Sequence, residues 1–258
     1  MNPVKIEFLG TGTSQGIPII GCDCDVCRSS EKKDNRLRSS VLVKSLSQSV
    51  VIDCGPDFRQ QMLRSNCNSL DAVVITHEHM DHISGLDDVR PFNFKSRSNM
   101  NIFCTERVEK RLHEQFSYAF SEVKYPGSPG FIINIINSND PFLIGDQYWT
   151  PILASHGTMP VMGYRIDNFT YLTDVSSITN EEVEKIIGSS ILVINALRTT
   201  KHFSHFSLDE AIAFGLRTKA KKVLITHASH ELGLHSEVNK NLPEGFSLAY
   251  DGLEITIE

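Results

Sequence analysis

The sequence predicts an α/β fold in which two mixed β-sheets stack face to face with helices on their outer sides. Three observations carry that prediction. Short apolar runs occur both as neighbours and in alternation with helical segments. Several of these runs end in a histidine or an aspartate, so polar side chains gather where strands stop. And 258 residues, 40 % of them hydrophobic, suffice for a full core.

The elements follow in order. Val4–Leu9 reads as a strand, followed by the glycine-rich turn Gly10–Gly16, whose backbone N–H groups are candidates for holding an anion. A polar loop carrying Cys22, Cys24 and Cys27 runs to about Arg38. Ser40–Lys44 and Ser49–Asp53 form a hairpin, and Asp57 caps a helix reaching about Ser65. Ala72–Thr76 is a short buried strand that ends in His77, and Ile102–Cys104 is another, followed by a helix from about Thr105 to Ala119. Phe131–Ile136, Gln147–Ser155, Met162–Ile166 and Phe169–Thr173 make a β-rich middle. Thr179–Glu182 and Ser207–Glu210 have the spacing of capping boxes and open helices to Ile187 and about Thr218. Ile191–Asn195, Lys222–Thr226 and Leu253–Ile257 complete the strands. No linker or repeat interrupts the chain, so residues 1–258 are expected to form a single domain.

Composition bounds the function. The net charge of −6 argues against binding nucleic acid by general charge attraction, because neutralising phosphates needs clustered Lys and Arg. No stretch reaches the roughly 18 apolar residues of a membrane span, and the first residues hold no signal-peptide core, so a cytoplasmic location is expected. Thiols stay reduced there, and a cluster such as Cys22, Cys24 and Cys27 then points to metal before disulfide. A structural zinc takes four ligands, and His230 is the candidate for the fourth. Cys54, Cys67 and Cys104 lie in or beside apolar runs and are expected to be packed thiols.

The strongest signal is Thr76-His-Glu-His-Met-Asp-His82. His77, His79 and His82 with Asp81 cannot all enter an apolar core without partners, and imidazole with carboxylate suits Zn²⁺, Mn²⁺ or Fe. His156, Asp174 and His227 each follow an apolar run and can converge on the same sheet edge. With the H-x-H-x-D-H cluster they supply donors for two neighbouring ions.

On this motif, and on the later His, Asp and His in order, the sequence resembles the metallo-β-lactamase-fold hydrolases. The resemblance runs from Phe8 to His227 and implies a four-layer αββα sandwich. It also implies that His77, His79 and His156 hold one divalent metal ion, that Asp81, His82 and His227 hold a second, and that Asp174 bridges them. By the same resemblance Asp53 supports the metal loop without being a ligand. Aspartate in place of cysteine at position 174 points away from a true β-lactamase and toward phosphodiesterases or thioesterases. A hydroxide held between two dications is a nucleophile near neutral pH, which suits attack on a phosphodiester.

The Cys-x-Cys-x-x-Cys cluster, the opening Phe8–Thr13 and the run Arg36–Ser40 are similar to one branch, the phosphoribosyl 1,2-cyclic phosphate phosphodiesterases. There, three Cys and a late His hold a structural zinc, and a His in the loop before a capped helix acts as general acid. His205 fits that position, so His205 and Asp81 are the expected catalytic residues and His202 a substrate contact. Arg198 and Lys201 are further candidates for phosphate contacts, and Asp87–Phe92 for shaping the substrate mouth. The expected partner is a small phosphodiester, with homodimerisation common for such proteins. The alternatives are a nuclease resembling ribonuclease Z, a thioester or lactone hydrolase, and a non-catalytic metal-binding scaffold. Ribonuclease Z shares the Gly-Thr-Gly opening, but this sequence has no basic Gly/Pro-rich arm.

Overall fold

In a computed structural model that describes residues 3–123 and 125–257, two seven-stranded sheets stack with helices on both outer faces. The first sheet holds β1 (Val4–Gly10), β2 (Ser40–Lys44), β3 (Ser49–Ile52), β4 (Ala72–Val74), β5 (Met100–Cys104) and β6 (Phe131–Ile135) side by side in chain order. The second holds β7 (Phe142–Ile144), β8 (Gln147–His156), β9 (Met159–Ile166), β10 (Phe169–Tyr171), β11 (Ile191–Asn195), β12 (Lys222–Thr226) and β13 (Phe246–Leu248), likewise in order. The chain then crosses back, and β14 (Glu254–Ile257) pairs with β1.

Alternation along the strands sorts the side chains. Val41 and Val43 point between the sheets, where Phe8, Trp149, Tyr164, Phe169 and Tyr171 form one apolar cluster. Leu42 and Val51 face outward and meet α1 (Phe58–Arg64) through Phe58 and Met62. Two short helical turns, α2 (Met80–Ile83) and α3 (Arg90–Ser96), lead to α4 (Glu106–Gln115) and α5 (Ser117–Phe120), which cover the same outer face. On the far side α6 (Asn180–Glu184) and α7 (Leu208–Thr218) bury Val183, Ala211 and Phe214 against the second sheet, and α8 (His235–Lys240) precedes β13. The layers are therefore the expected αββα.

Parallel pairing fixes the functional edge. β3 and β4 run parallel with Ile52 opposite Val74, so Asp53 and the 75–82 loop leave the sheet together. β10, β11 and β12 are also parallel, with Tyr171 opposite Val193 and Asn195 opposite Thr226, which brings Asp174 and His227 out at the same end.

Several expected elements differ in detail. The helix anticipated from Thr105 to Ala119 breaks at Phe116, whose ψ of 38° leaves the helical region and splits it into α4 and α5. The Ser207 capping box forms in full, but the Thr179 box forms only by half: Glu182 turns its carboxylate to the Leu153 amide at 2.8 Å and to Lys185 at 2.9 Å. The helix it opens ends at Glu184, short of Ile187. Asp57 does not cap α1 through its side chain, because its carboxylate accepts from the Arg38 amide at 2.8 Å. β8 extends to His156 itself, and β9 starts at Met159 rather than Met162.

Candidate metal centre

The buried strand β4 delivers the H-x-H-x-D-H loop to the edge, and close backbone packing keeps it there. A Cβ on Gly55 would lie 2.0 Å from the Asp81 carbonyl oxygen, so only glycine lets the loop after β3 pass this near. The Cys54 amide donates to the His82 carbonyl at 2.7 Å, and the Tyr164 hydroxyl reaches across from the second sheet to the Ile75 carbonyl at 2.6 Å.

The donor atoms converge at this edge. His77, His79 and His156 bring ligand atoms within 4.8 Å of one another, as do His77, His82 and Asp174. His82 Nε2 stands 3.1 Å from Asp81 Oδ2 and 3.3 Å from Asp174 Oδ2, and His227 Nε2 stands 3.1 Å from Asp174 Oδ1. Asp174 thus lies between the histidines contributed by the two sheets. Three of these strand-end residues, Asp53, Asp174 and His227, adopt positive φ of 63°, 60° and 54°. That left-handed backbone is costly for residues with a Cβ and turns each side chain inward at the end of its strand.

A second layer of polar contacts fixes each imidazole in one tautomer. His82 Nδ1–H donates to Asp53 at 2.6 Å, and His156 Nδ1–H donates to the Ser204 carbonyl at 2.6 Å. Thr76 Oγ1 donates to Asp53 at 2.8 Å and so accepts from His77 Nδ1–H at 3.0 Å. Ser39 Oγ donates to the Gly12 carbonyl at 2.9 Å and so accepts from His227 Nδ1–H at 3.1 Å. In all four rings the proton sits on Nδ1, and Nε2 is left bare toward the centre. His77 Nε2 is buried with no hydrogen-bond partner among the described residues. Such an atom is costly unless a cation meets it, and this donor set of imidazoles and carboxylates fits divalent metal ions.

The electrostatics of the protein alone separate His82 from the other rings, because carboxylates that a bound cation would otherwise engage surround it. Burial pushes the pKa values of His77, His79 and His227 down, keeping the rings in the neutral form that can donate a lone pair. Burial opposes charge on His82 as well, but Asp81, Asp53 and Asp174 outweigh it and raise its pKa. Burial also opposes ionisation of Asp174, yet His227 and His82 prevail and hold it well below the usual carboxylate range.

His205 enters the same cluster. Its Nδ1 lies 3.7 Å from Asp174 Oδ1, and it shares a 4.8 Å donor group with His156 and Asp174. Burial takes its pKa down to about 3. His202 stands further out, its ring centroid 5.2 Å from that of His205.

The cysteine loop closes a separate cluster. Cys22, Cys24 and Cys27 place their sulfurs 3.3, 3.3 and 3.6 Å from His230 Nδ1. The Cys27 amide is the main group lowering the Cys24 thiol to about 6, which favours the ligand form, whereas burial raises Cys27 to about 11. Cys54 and Cys104 are buried and Cys67 is partly buried, in keeping with packed thiols.

Other candidates found different tasks. In the glycine-rich turn the Gly12, Thr13 and Gly16 amides already donate to Leu37, Ala228 and Thr13 carbonyls. A Cβ on Gly12 would come within 2.9 Å of Arg36, so the glycine serves chain packing. Arg198 is paired with Glu231 at 2.8 Å. Asp87 bonds the Tyr118 hydroxyl and pairs with Arg90 at 2.5 Å, making a local brace beside the metal loop. His235 is buried at the start of α8 and touches Arg36 at 3.0 Å. Ser39 and Ser204 were not singled out from the sequence as orienting groups. Ser39 lay within the noted Arg36–Ser40 run, but Ser204 acts through its carbonyl, which no residue type announces. A cavity of about 440 Å³ opens beside His77 and is bordered by Glu78, Arg107, Ile136 and Met162. Among the described residues no helix is long and apolar enough to cross a membrane.

Residues 48–228 match the family described as "Beta-lactamase superfamily domain". An octanoyltransferase of Porphyromonas gingivalis is 39 % identical over 99 % of this chain but 52 % of its own length. A ribonuclease Z of Methanosarcina mazei is 25 % identical over 63 % of this chain and 48 % of its own. The chain thus spans about half the length of these curated relatives. Among solved structures, a diphosphatase of the PhnP family superimposes with a TM-score of 0.93 at 38 % identity, covering 99 % of this chain and 97 % of that one. Human tRNase Z, short form, gives a TM-score of 0.72 at 17 % identity over 97 % and 98 %, a likeness of fold.

Proposed function

The chain belongs to the β-lactamase superfamily, with the metallo-β-lactamase fold of its hydrolases, and from that premise we propose a metal-dependent phosphodiesterase acting on a small cyclic or linear phosphodiester. The observation that carries this reading is Asp174, set between His82 and His227 with His205 Nδ1 3.7 Å from its Oδ1. The likeness to a PhnP-family diphosphatase supports it.

His77, His79 and His156 would hold one divalent ion, and Asp81, His82 and His227 the other, with Asp174 between them. Zinc, manganese or iron suits this N/O set, whereas Cys22, Cys24, Cys27 and His230 suit a structural zinc. When bound, such ions lower the pKa of water from 15.7 toward about 7 and stabilise charge on phosphoryl oxygens. The chain supplies the rest. Asp53, Thr76, Ser39 and the Ser204 carbonyl hold four imidazoles in the ligating tautomer. His205 is neutral at neutral pH, because burial disfavours its charge. A bound phosphodiester anion offsets that burial, and the imidazolium then protonates the departing alkoxide oxygen, a step worth about 10²–10⁴-fold. His202 would contact the phosphoryl group.

The test is a substrate panel on metal-defined enzyme: bis(p-nitrophenyl) phosphate, a ribosyl 1,2-cyclic phosphate, precursor tRNA and an octanoyl thioester. Hydrolysis of either small phosphodiester is expected. Turnover of the thioester alone would overturn the reading. His205→Ala should lower kcat about 10²–10⁴-fold with metal content kept; loss of metal instead would make His205 a ligand. Thioester hydrolysis is the second reading, favoured by the octanoyltransferase name of the Porphyromonas gingivalis relative, of which this chain covers 52 %. The net charge of −6 weighs against the tRNA reading.

A further inference from the structure

We propose that Phe203, with His202 beside it, is a stacking platform for a planar aromatic ring on the non-reacting arm of the substrate. The proposal rests on the phosphodiesterase reading and narrows it to nucleoside or aryl phosphodiesters.

Phe203 is 84 % exposed, although most phenylalanines of this chain are buried or partly so. A solitary exposed ring would be unremarked elsewhere on a surface, but this one stands at the rim of the metal centre. It precedes Ser204, whose carbonyl orients His156, and lies two residues before His205. Its ring lies over the Gly157 backbone. A Cβ built on Gly157, the residue after His156, would stand 3.5 Å from two of its ring carbons. The His202 ring lies 4.8 Å away, tilted by 36°. From there ring centroids step 5.2 Å to His205 and 4.5 Å to His156, a continuous series from solvent to the centre.

The segment holding the ring is pinned. Leu197 N–H donates to the Phe206 carbonyl at 3.0 Å, and Phe206 N–H to the Val175 carbonyl at 2.8 Å. A backbone already held in place loses little freedom when a ligand covers the ring it carries. His202 Nδ1 accepts from the Ser204 amide at 3.3 Å, so Nε2 carries the proton and offers a donor at the platform's edge.

The shape selects the ligand. An alkyl chain needs walls on several sides to leave water, and the exposed Phe203 provides none. A planar ring gains from one open aromatic surface, and stacking of a base on such a surface is sequence-tolerant and strong. The ring sits on the arm that flanks the phosphoryl group, with His202 between them.

Binding to the metal-loaded protein tests this without turnover. By calorimetry, adenosine 5′-monophosphate and phenyl phosphate should bind about 5- to 150-fold more tightly than ribose 5-phosphate. Phe203→Ala should remove that gap and Phe203→Trp should keep it. A gap for both ring-bearing probes supports any aryl arm; a gap for adenosine 5′-monophosphate alone supports a nucleobase. No gap in the wild type, or a gap that persists in Phe203→Ala, overturns the platform. Should the gap depend on Phe203 while no phosphodiester is hydrolysed, the platform stands and the reaction assignment falls. Should phosphodiesters turn over while the gap ignores Phe203, the reverse holds.

Discussion

The His/Asp centre and the Cys/His cluster both gather metal-ligating donor atoms, by opposite means. The first is nearly all buried, and its residues come from strand ends that the two sheets place side by side. Its imidazoles are oriented in advance by Asp53, Thr76, Ser39 and the Ser204 carbonyl. The second is half-buried and joins a loop near the start of the chain to a turn after β12, with few contacts that would hold the sulfurs without an ion. A site preset by the fold can discriminate geometry during a reaction, whereas a site that draws two loops together stores its binding energy as stability.

Four outcomes would sharpen or break that contrast. The largest is expected for Asp53→Ala. It strips the partner from buried His82 and from Thr76, so about 3–5 kcal/mol of stability should vanish in urea unfolding, together with ordered metal uptake. An unchanged midpoint would mean that the centre is not preset.

Next comes a pH effect at the other cluster. His235 follows the turn bearing His230 and lies against Arg36, and burial together with that guanidinium depresses its pKa from 6.5 to about 4. The unfolded chain then takes up the proton first as pH falls. The contribution is fully present above pH 6.5, declines from there to pH 4, and amounts to at most about 3 kcal/mol. His235→Gln should flatten this part of the stability profile; a parallel decline in both proteins would assign it elsewhere.

Cys24→Ser should cost about 2 kcal/mol, or roughly 4–8 °C in Tm, and release one metal equivalent while the His/Asp centre keeps its ions. Elemental analysis finding only two metals per wild-type chain would remove the structural zinc. Smallest is Arg198→Ala. Its pair with Glu231 is partly exposed, so a change below about 1 kcal/mol is expected in the same unfolding assay.

How much of this was legible depends on where the information resides. The H-x-H-x-D-H loop could be read because its donors are adjacent in sequence and follow an apolar strand. His156, Asp174 and His227 could be read as polar ends of apolar runs, and His230 as the offset partner of three cysteines. The left-handed backbone at Asp53, Asp174 and His227 could not, since non-glycine residues enter that region only under tertiary constraint. The Ser204 carbonyl is backbone, common to every residue. Asp57 and Glu182 look like helix caps locally, but Arg38 and the Leu153 amide, distant in sequence, claim their carboxylates. β7 and β13 are three residues each, too short to show a period.

The segment that carries His205 is tied to its surroundings at several points. Besides its bonds to Val175 and within itself, its Leu197 carbonyl accepts from the Ser229 amide at 2.9 Å, and its Ser204 carbonyl holds His156 at 2.6 Å. It cannot swing outward without unseating an imidazole of the centre. An outward swing of this segment would cost those bonds together with the orientation of His156, so the expected outcome is a turnover rate whose dependence on solvent viscosity does not exceed that of diffusion.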